Sequence, residues 1–215
     1  PTESKGFLTQ NRGKRSLALD FKDPRPAPIR DALTRWAEVP LTNYRPGVPE
    51  ALGLDYESAR AINPAIIYAE NTAFGKHGPD SQRRGYDIVA QAMSGLTASN
   101  PNVQNGLPMQ IAFAPADVVT GVALAWAITA ALYHREKTGE GQMIDVALLD
   151  SIMPLMGWVA ANLLIGGQAP VPMGNDNFTA APSGSFATRD GHINIAANKQ
   201  EQWEAMAEVI GAPEL

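Results

Sequence analysis

Val118-Val-Thr-Gly-Val-Ala-Leu-Ala-Trp-Ala-Ile-Thr-Ala-Ala-Leu132 is the most apolar stretch of the sequence. It predicts a long buried helix from Val118 to about Lys137, ended by Gly139-Glu-Gly141 as glycine commonly ends helices. Met143-Ile-Asp-Val-Ala147 follows as a strand, and Ala65-Ile-Ile-Tyr-Ala69 reads as another strand of the buried type. Strands alternating with helices imply an α/β fold with a mainly parallel sheet.

Asp117 stands directly before the apolar run, behind Pro115-Ala116. An acidic residue there reads as the cap of the helix, its ionised form favoured by the amide end and the macrodipole. An ionised, positioned carboxylate can also attack an activated acyl group. Which of the two jobs Asp117 does decides what the protein is for.

Working outward, Ser16–Asp20 is expected as a short alternating strand, entered through the basic turn Asn11-Arg-Gly-Lys-Arg15. A Pro-rich connector from Pro24 to Pro28 leads to a helix over Ile29–Glu38. Val39–Asn43 reads as a strand end, with Pro40 suited only to an edge or a strand start. Arg45–Pro49 is a turn, Tyr56–Ile62 a helix, Gly75–Gln82 a loop and Tyr86–Ser94 a helix. Ser99–Pro108 is a loop. Leu149–Leu164 is expected as one helix carrying Pro154. Gly166–Gly174 has the composition of a linker, Phe186–Ala196 that of a hairpin turning near Asp190-Gly191, and Gln202–Ile210 begins a helix. The expected division is a large α/β domain over 1–165, a linker over 166–180 and a small domain from 181 to 215.

The chain has 215 residues, 45% hydrophobic and 18% charged, with a net charge of -5. That is enough to bury a sizeable core, and the acidic balance argues against a nucleic-acid-coating protein. There is no cysteine, hence no disulfide, thiolate metal site or catalytic thiol. His77, His134 and His192 are too scattered to suggest a metal cage. No apolar run reaches the ~18 residues of a membrane span, and no signal-peptide pattern opens the sequence. The expectation is a soluble cytoplasmic protein. Its opening Pro-Thr-Glu-Ser-Lys and its closing Ala-Pro-Glu-Leu read as cuts through a larger protein.

Four loops stand where ligands gather in open α/β sheets. They are Asn11–Ser16 with Leu19-Asp-Phe-Lys22, Asn43-Tyr-Arg-Pro-Gly47, Arg83-Arg-Gly-Tyr-Asp87 and Ala114–Asp117. The first three combine Lys or Arg with an aromatic, a mixture that suits an anionic ligand with a stackable ring. Solvated surface charge explains the same residues, and no phosphate-binding glycine fingerprint is present. Trp126, with Ile128 and Leu132, reads as core.

Several motifs occur in a specific order. They are Asn11-Arg-Gly-Lys-Arg-Ser-Leu-Ala-Leu-Asp-Phe-Lys-Asp-Pro24, Asn43-Tyr-Arg-Pro-Gly-Val48 with Leu52-Gly-Leu54, and Ile62-Asn-Pro64. Phe74-Gly75 with Gly78-Pro79, Gly85–Gly95, Thr138–Gln142, and Asp145-Val146 with Leu149-Asp150 follow. The series resembles the family III CoA-transferases, the group that includes formyl-CoA transferase and carnitine CoA-transferase, over most of residues 11–195. The resemblance implies a Rossmann-like large domain joined to a smaller α+β domain, and an interlocked homodimer. It also implies that an N-terminal segment and the rest of the small domain lie outside this sequence.

By the resemblance, Asp117 is the nucleophile that carries first acyl and then CoA. Leu19, Asp20, Phe21, Lys22, Asn43, Tyr44, Arg45, Arg84, Tyr86 and Asp87 fall where the family contacts CoA. Arg84 would serve a phosphate, Tyr86 would border the thioester, and Asp87 would help orient the reacting carboxylate. Coenzyme A enters as co-substrate with no tightly bound cofactor, and the partners are an acyl-CoA and a small carboxylic acid, without nucleic acid or membrane. Gly174–Ser185 matches part of the acceptor region, and its small polar residues would tolerate a short polar acid. Three departures are clear: Ala51 stands where several members carry arginine, Thr42 where an acid is usual, and Tyr44 where Phe is usual.

Two rivals differ in chemistry. The 2-methylacyl-CoA racemases share the fold but place histidine in the slot of Tyr86, and a phenol is a poor base at neutral pH. A non-catalytic CoA-binding protein would keep the fold without a working Asp117.

Overall fold

A computed structural model describes residues 4–23, 25–102, 105–171, 173–177 and 179–214. Among the sequence readings, those on Pro1-Thr-Glu3, Pro24, Val103 and Gln104, Pro172, Phe178 and Leu215 lie outside the described residues. The chain runs α1 (Lys5–Gln10), α2 (Ala27–Trp36), β1 (Leu41–Thr42), α3 (Val48–Leu52), α4 (Tyr56–Ile62), β2 (Ile67–Thr72), α5 (Asp87–Met93) and α6 (Leu96–Ser99). It continues through α7 (Pro115–Thr138), β3 (Gln142–Ala147), α8 (Leu148–Ile152), α9 (Gly157–Leu164), β4 (Ser183–Ala187), β5 (His192–Ala196) and α10 (Gln200–Val209). Two compact units emerge: the chain up to Glu70 with Ala125–Asp145, and Asn71–Leu124 with the chain from Val146 onward.

The first unit is built on the sheet β1-β2-β3. β1 runs parallel to β2, with Leu41 opposite Ala69 and Thr42 opposite Glu70. Ile67, Tyr68 and Ala69 are buried in succession, as a strand covered on both faces requires. Ala59, Ile66 and Tyr68 form its core, with Tyr56 and Met143 against it. The buried Tyr68 hydroxyl donates to the Leu54 carbonyl at 2.5 Å, which settles its one polar atom. Gly141 is needed because a Cβ there would overlap the backbone of Ala65 and Ile66. Near the end of α7, Arg135 Nη2 donates to Glu38 Oε2 at 2.7 Å and Nη1 to the Ala65 carbonyl at 3.4 Å.

In the second unit, small residues bring three helices close. Ala90 of α5, Ala116 at the start of α7, and Leu148 and Ile152 of α8 form one cluster, with Ala73 and Leu96 packed on it. β4 and β5 are an antiparallel hairpin, from Ser183 opposite Ala196 to Ala187 opposite His192.

Several expectations are corrected. Ser16–Asp20 pairs with no strand among the described residues and is mostly exposed. The single helix expected over Leu149–Leu164 is interrupted by a 3-10 turn over Met153–Met156, with Pro154 inside it. Pro154 lacks the N–H that would continue the α pattern, and Gly157 follows at φ 42°. α1, α3 and α6 are short helices that carried no periodic signal.

Trp126 is not core but 80% exposed. The inward stripe of α7 is Ala116, Thr120, Leu124 and Ala131, whereas Val118, Val122 and Trp126 follow at four-residue steps on the outer face. The expectation of no span-length apolar segment also changes. α7 has 24 residues and is long and apolar enough to cross a membrane by length and composition, because Thr120, Gly121 and Thr129 interrupt the run without making it polar. Protein polar groups hold it at both ends, Asp87 at its first turn and Glu38 at Arg135.

Candidate active site

α7 starts earlier than the apolar run suggests, and the shift reassigns its cap. Val118 N–H donates to the Ala114 carbonyl at 3.1 Å, so Ala114 occupies the capping position. Alanine has no side-chain acceptor, and Pro115 in the first helical position has no N–H to satisfy. The amides of Ala116 and Asp117, which have no acceptor within the helix, are satisfied from outside it. Both donate to Asp87 Oδ1, at 2.7 Å and 3.1 Å. Asp87 is the cap, and Asp117 is not.

Asp87 can do this because Gly85 lets its segment lie against the end of β2. A Cβ on Gly85 would overlap that of Ala73 and stand 3.2 Å from Phe74 Cε2. Asp87 then opens α5, one step after Tyr86, which is extended and 70% exposed. Its second oxygen, Oδ2, accepts from Gln91 Nε2 at 2.6 Å. Inside α7, Thr120 Oγ1 donates to the Ala116 carbonyl at 2.6 Å, tightening the first turn.

Asp117 lies in that first turn, exposed, and no hydrogen bond or ion pair to its carboxylate occurs among the described residues. Partial burial of the carboxyl end, and then the negative charge of Asp87, raise its pKa above the ordinary 3.8. A more basic carboxylate with unoccupied lone pairs is the form suited to attack on carbon.

The other predicted residues divide between the units. Tyr86, Asp87 and Asp117 come together in the second. Arg84 is exposed there and unpaired among the described residues, while its neighbour Arg83 is engaged with Asp80 at 3.5 Å and lies 5.7 Å over the Phe74 ring. In the first unit, Asp20 Oδ1 accepts from Lys22 N–H at 3.0 Å and the Asp20 carbonyl from Asp23 N–H at 3.2 Å, which puts Asp20, Phe21 and Lys22 in a tight turn just after Leu19. Asn43, Tyr44 and Arg45 leave the end of β1, with Tyr44 N–H donating to Thr42 Oγ1 at 3.2 Å. Gln91 is the residue that sequence reasoning passed over; its four-residue spacing from Asp87 on one helix face was the available signal.

The second unit also has an open recess beside the hairpin, lined by Asn175, Asp176, Asn177, Ser185 and Asn194 among others. Its charged lining group is an acid, so the recess by itself does not favour a carboxylate. No group of His, Asp and Glu able to hold a metal occurs among the described residues.

Over residues 1–215 the sequence matches the profile of CoA-transferase family III. The chain belongs to that family. It is 39% identical to succinyl-CoA:glutarate CoA-transferase of Homo sapiens over 215 residues, which are all of this chain and 49% of that protein. It is 37% identical to acetyl-CoA:oxalate CoA-transferase of Acetobacter aceti, covering 97% of this chain and 54% of the relative. A crystal structure of a CAIB/BAIF family protein from Brucella suis matches with a TM-score of 0.81 at 37% identity, over 95% of this chain and 54% of that one. The chain thus spans about half the length of the curated relatives it matches.

Proposed function

We propose that the whole protein transfers coenzyme A from an acyl-CoA donor to a free carboxylic acid, with Asp117 as the covalent carrier. A carboxylate oxygen of Asp117 attacks the thioester carbonyl carbon; the C–S bond breaks and CoA leaves as thiolate, giving a mixed anhydride. The thiolate attacks the aspartyl carbonyl carbon of that anhydride, the C–O bond breaks, and the donor acid departs as carboxylate. An aspartyl-CoA thioester remains. The acceptor carboxylate attacks its carbonyl carbon and expels the thiolate, which then attacks the acceptor's carbon in the new anhydride. Product acyl-CoA leaves and the Asp117 carboxylate is restored, with no net proton consumed. Splitting one acyl transfer into such steps is the ordinary gain of covalent catalysis.

The observation that carries this reading is the division of labour between two carboxylates. Asp87 takes the amides at the start of α7, and Asp117 is left unpaired with a raised pKa. Relatives named for succinyl-CoA and acetyl-CoA as donors, with glutarate and oxalate as acceptors, support small acids as the exchanged groups. Leu19, Asp20, Phe21, Lys22, Asn43, Tyr44, Arg45, Arg84 and Tyr86 are the proposed CoA contacts, by their match to the family pattern. The working form we propose is the interlocked homodimer, in the cytoplasm, with a large domain over 1–165 and a small domain from 181.

Trapping tests the reading. Full-length protein given succinyl-CoA and hydroxylamine should yield a hydroxamate at Asp117. Asp117→Asn should abolish turnover and leave the fold intact. No modification of Asp117, or full activity in Asp117→Asn, refutes the proposal.

A further inference from the structure

The inward face of α5 holds one polar side chain that packing alone does not call for. Gln91 is 1% exposed, next to Ala90 at 2%. A buried amide costs stability unless it is bonded, and a core needing only volume would be served by an apolar residue. Gln91 is bonded on both sides. Its Oε1 accepts from Ile111 N–H at 2.9 Å, and its Nε2 donates to Asp87 Oδ2 at 2.6 Å, with the Ile111 carbonyl a weaker acceptor at 3.4 Å. The Ile111 N–H fixes which end of the amide is oxygen, so the end facing Asp87 must be the donor. Asp87 is thereby held with Oδ2 turned to α5 and Oδ1 turned to the amides of Ala116 and Asp117.

We infer that Gln91 is a positioning residue for the transfer reaction: by orienting Asp87 and anchoring Ile111, it keeps the first-turn amides of α7 occupied and leaves the Asp117 carboxylate free. This rests on Asp117 being the nucleophile. Without Gln91, Asp87 can swing from the helix end. The amides of Ala116 and Asp117 then seek another acceptor, and the carboxylate of Asp117, in the same first turn, can supply one. The nucleophile would become the cap.

A polarity swap tests this. Gln91→Glu sets acceptor against acceptor at the Asp87 contact, and Asp87→Asn sets donor against donor. The double change Asp87→Asn/Gln91→Glu restores one N–H···O bond in the reverse sense, and both the Ile111 anchor and an acceptor for the helix amides survive. On the full-length protein, with succinyl-CoA as donor, the rate of hydroxamate formation at Asp117 is measured beside the dissociation constant for CoA and the melting curve. Each single change should slow trapping by about tenfold to a hundredfold, and Gln91→Glu should leave CoA affinity within about twofold, the pattern of a misplaced reacting group. The double variant should return to within about threefold of the wild type, as residues coupled in one contact do.

Gln91→Met keeps the volume without a buried charge and should give the same loss, so it carries the test if a single swap fails to fold. Trapping at the wild-type rate in Gln91→Met, or a folded double variant as slow as the slower single, overturns the inference. If the wild type itself gives no hydroxamate, the transfer reading falls and this inference with it. If the wild type traps and Gln91→Met traps equally fast, this inference alone is lost.

Discussion

Replacing each of the two aspartates with alanine should produce opposite outcomes. Asp87→Ala removes the acceptor of three hydrogen bonds, from Ala116 N–H, Asp117 N–H and Gln91 Nε2. Loss of a helix cap costs about 1 kcal/mol, and stranding a buried donor such as the Gln91 amide costs about 1–3 kcal/mol. The sum is about 2–4 kcal/mol. Asp117→Ala removes no side-chain hydrogen bond among the described residues. The favourable meeting of its charge with the helix dipole, roughly 0.3–1 kcal/mol, is opposed by repulsion from Asp87, so the net change should lie within about 0.5 kcal/mol.

Urea unfolding of the full-length protein at pH 7 measures the difference, and hydrogen exchange localises it. Amides of Ala116 and Asp117 should exchange at least ~30-fold faster in Asp87→Ala, following a local loss of about 2 kcal/mol, and at the wild-type rate in Asp117→Ala. Equal destabilisation by the two substitutions, or lost protection only in Asp117→Ala, would show that Asp117 caps its own helix. The carboxylate would then not be free for attack.

Other outcomes follow from the same geometry. The acid limb of kcat/KM should sit above the ordinary carboxylate value of 3.8, and Asp87→Asn should move it down, since the second cause of the raised pKa is removed; an unmoved limb refutes the coupling. Because the pKa of Asp117 is raised on folding, the folded state binds more protons above pH 3.8, so stability falls as pH rises through that window. Asp117→Asn should therefore gain on the wild type from acid towards neutral pH in urea titrations, and a constant gap would contradict the sign. Arg84→Ala should weaken CoA binding about tenfold by titration calorimetry. Arg83→Ala, whose side chain is already engaged with Asp80 and Phe74, should leave it unchanged, and the reverse order would reassign the contact. Gly85→Ala must push Ala73 and Phe74 aside, at about 1–3 kcal/mol of stability, with slower trapping at Asp117; an unchanged melting temperature would refute the close approach.

Much of the architecture was legible because its signals are periodic. Tyr56–Ile62 stands as read, the hairpin turns where Asp190-Gly191 permits, and β2 and β3 lie within three residues of the apolar runs that announced them. Ser16–Asp20 alternates correctly, yet no strand pairs with it among the described residues, and alternation cannot supply a partner. Trp126 misled for a related reason. On a helix apolar all round, hydrophobicity no longer marks the buried face, and it is Thr120, not Trp126, that points inward. The nucleophile candidate was visible as a lone acid before an apolar run. Its cap was not, because Asp87 is thirty positions away and meets the helix end only after Gly85 and the Ala90–Ala116 contact bring the segments together.

That distance matters to the chemistry. A carboxylate that caps its own helix spends its lone pairs on amide hydrogens, and those bonds favour its charged form and lower its basicity. Attack on a thioester needs the opposite on both counts. With alanine at the capping position, proline next, and a borrowed carboxylate over the following amides, α7 begins well satisfied while Asp117 in its first turn owes nothing to the backbone. The borrowed charge also faces Asp117 and raises its pKa, so one side chain removes the competing task and makes the remaining carboxylate more basic. On this account a non-catalytic relative could regain an ordinary helix by moving an acceptor to position 114. Ala114→Ser or Ala114→Asp should accordingly stabilise the start of α7 when Asp87 is absent, and do little when it is present.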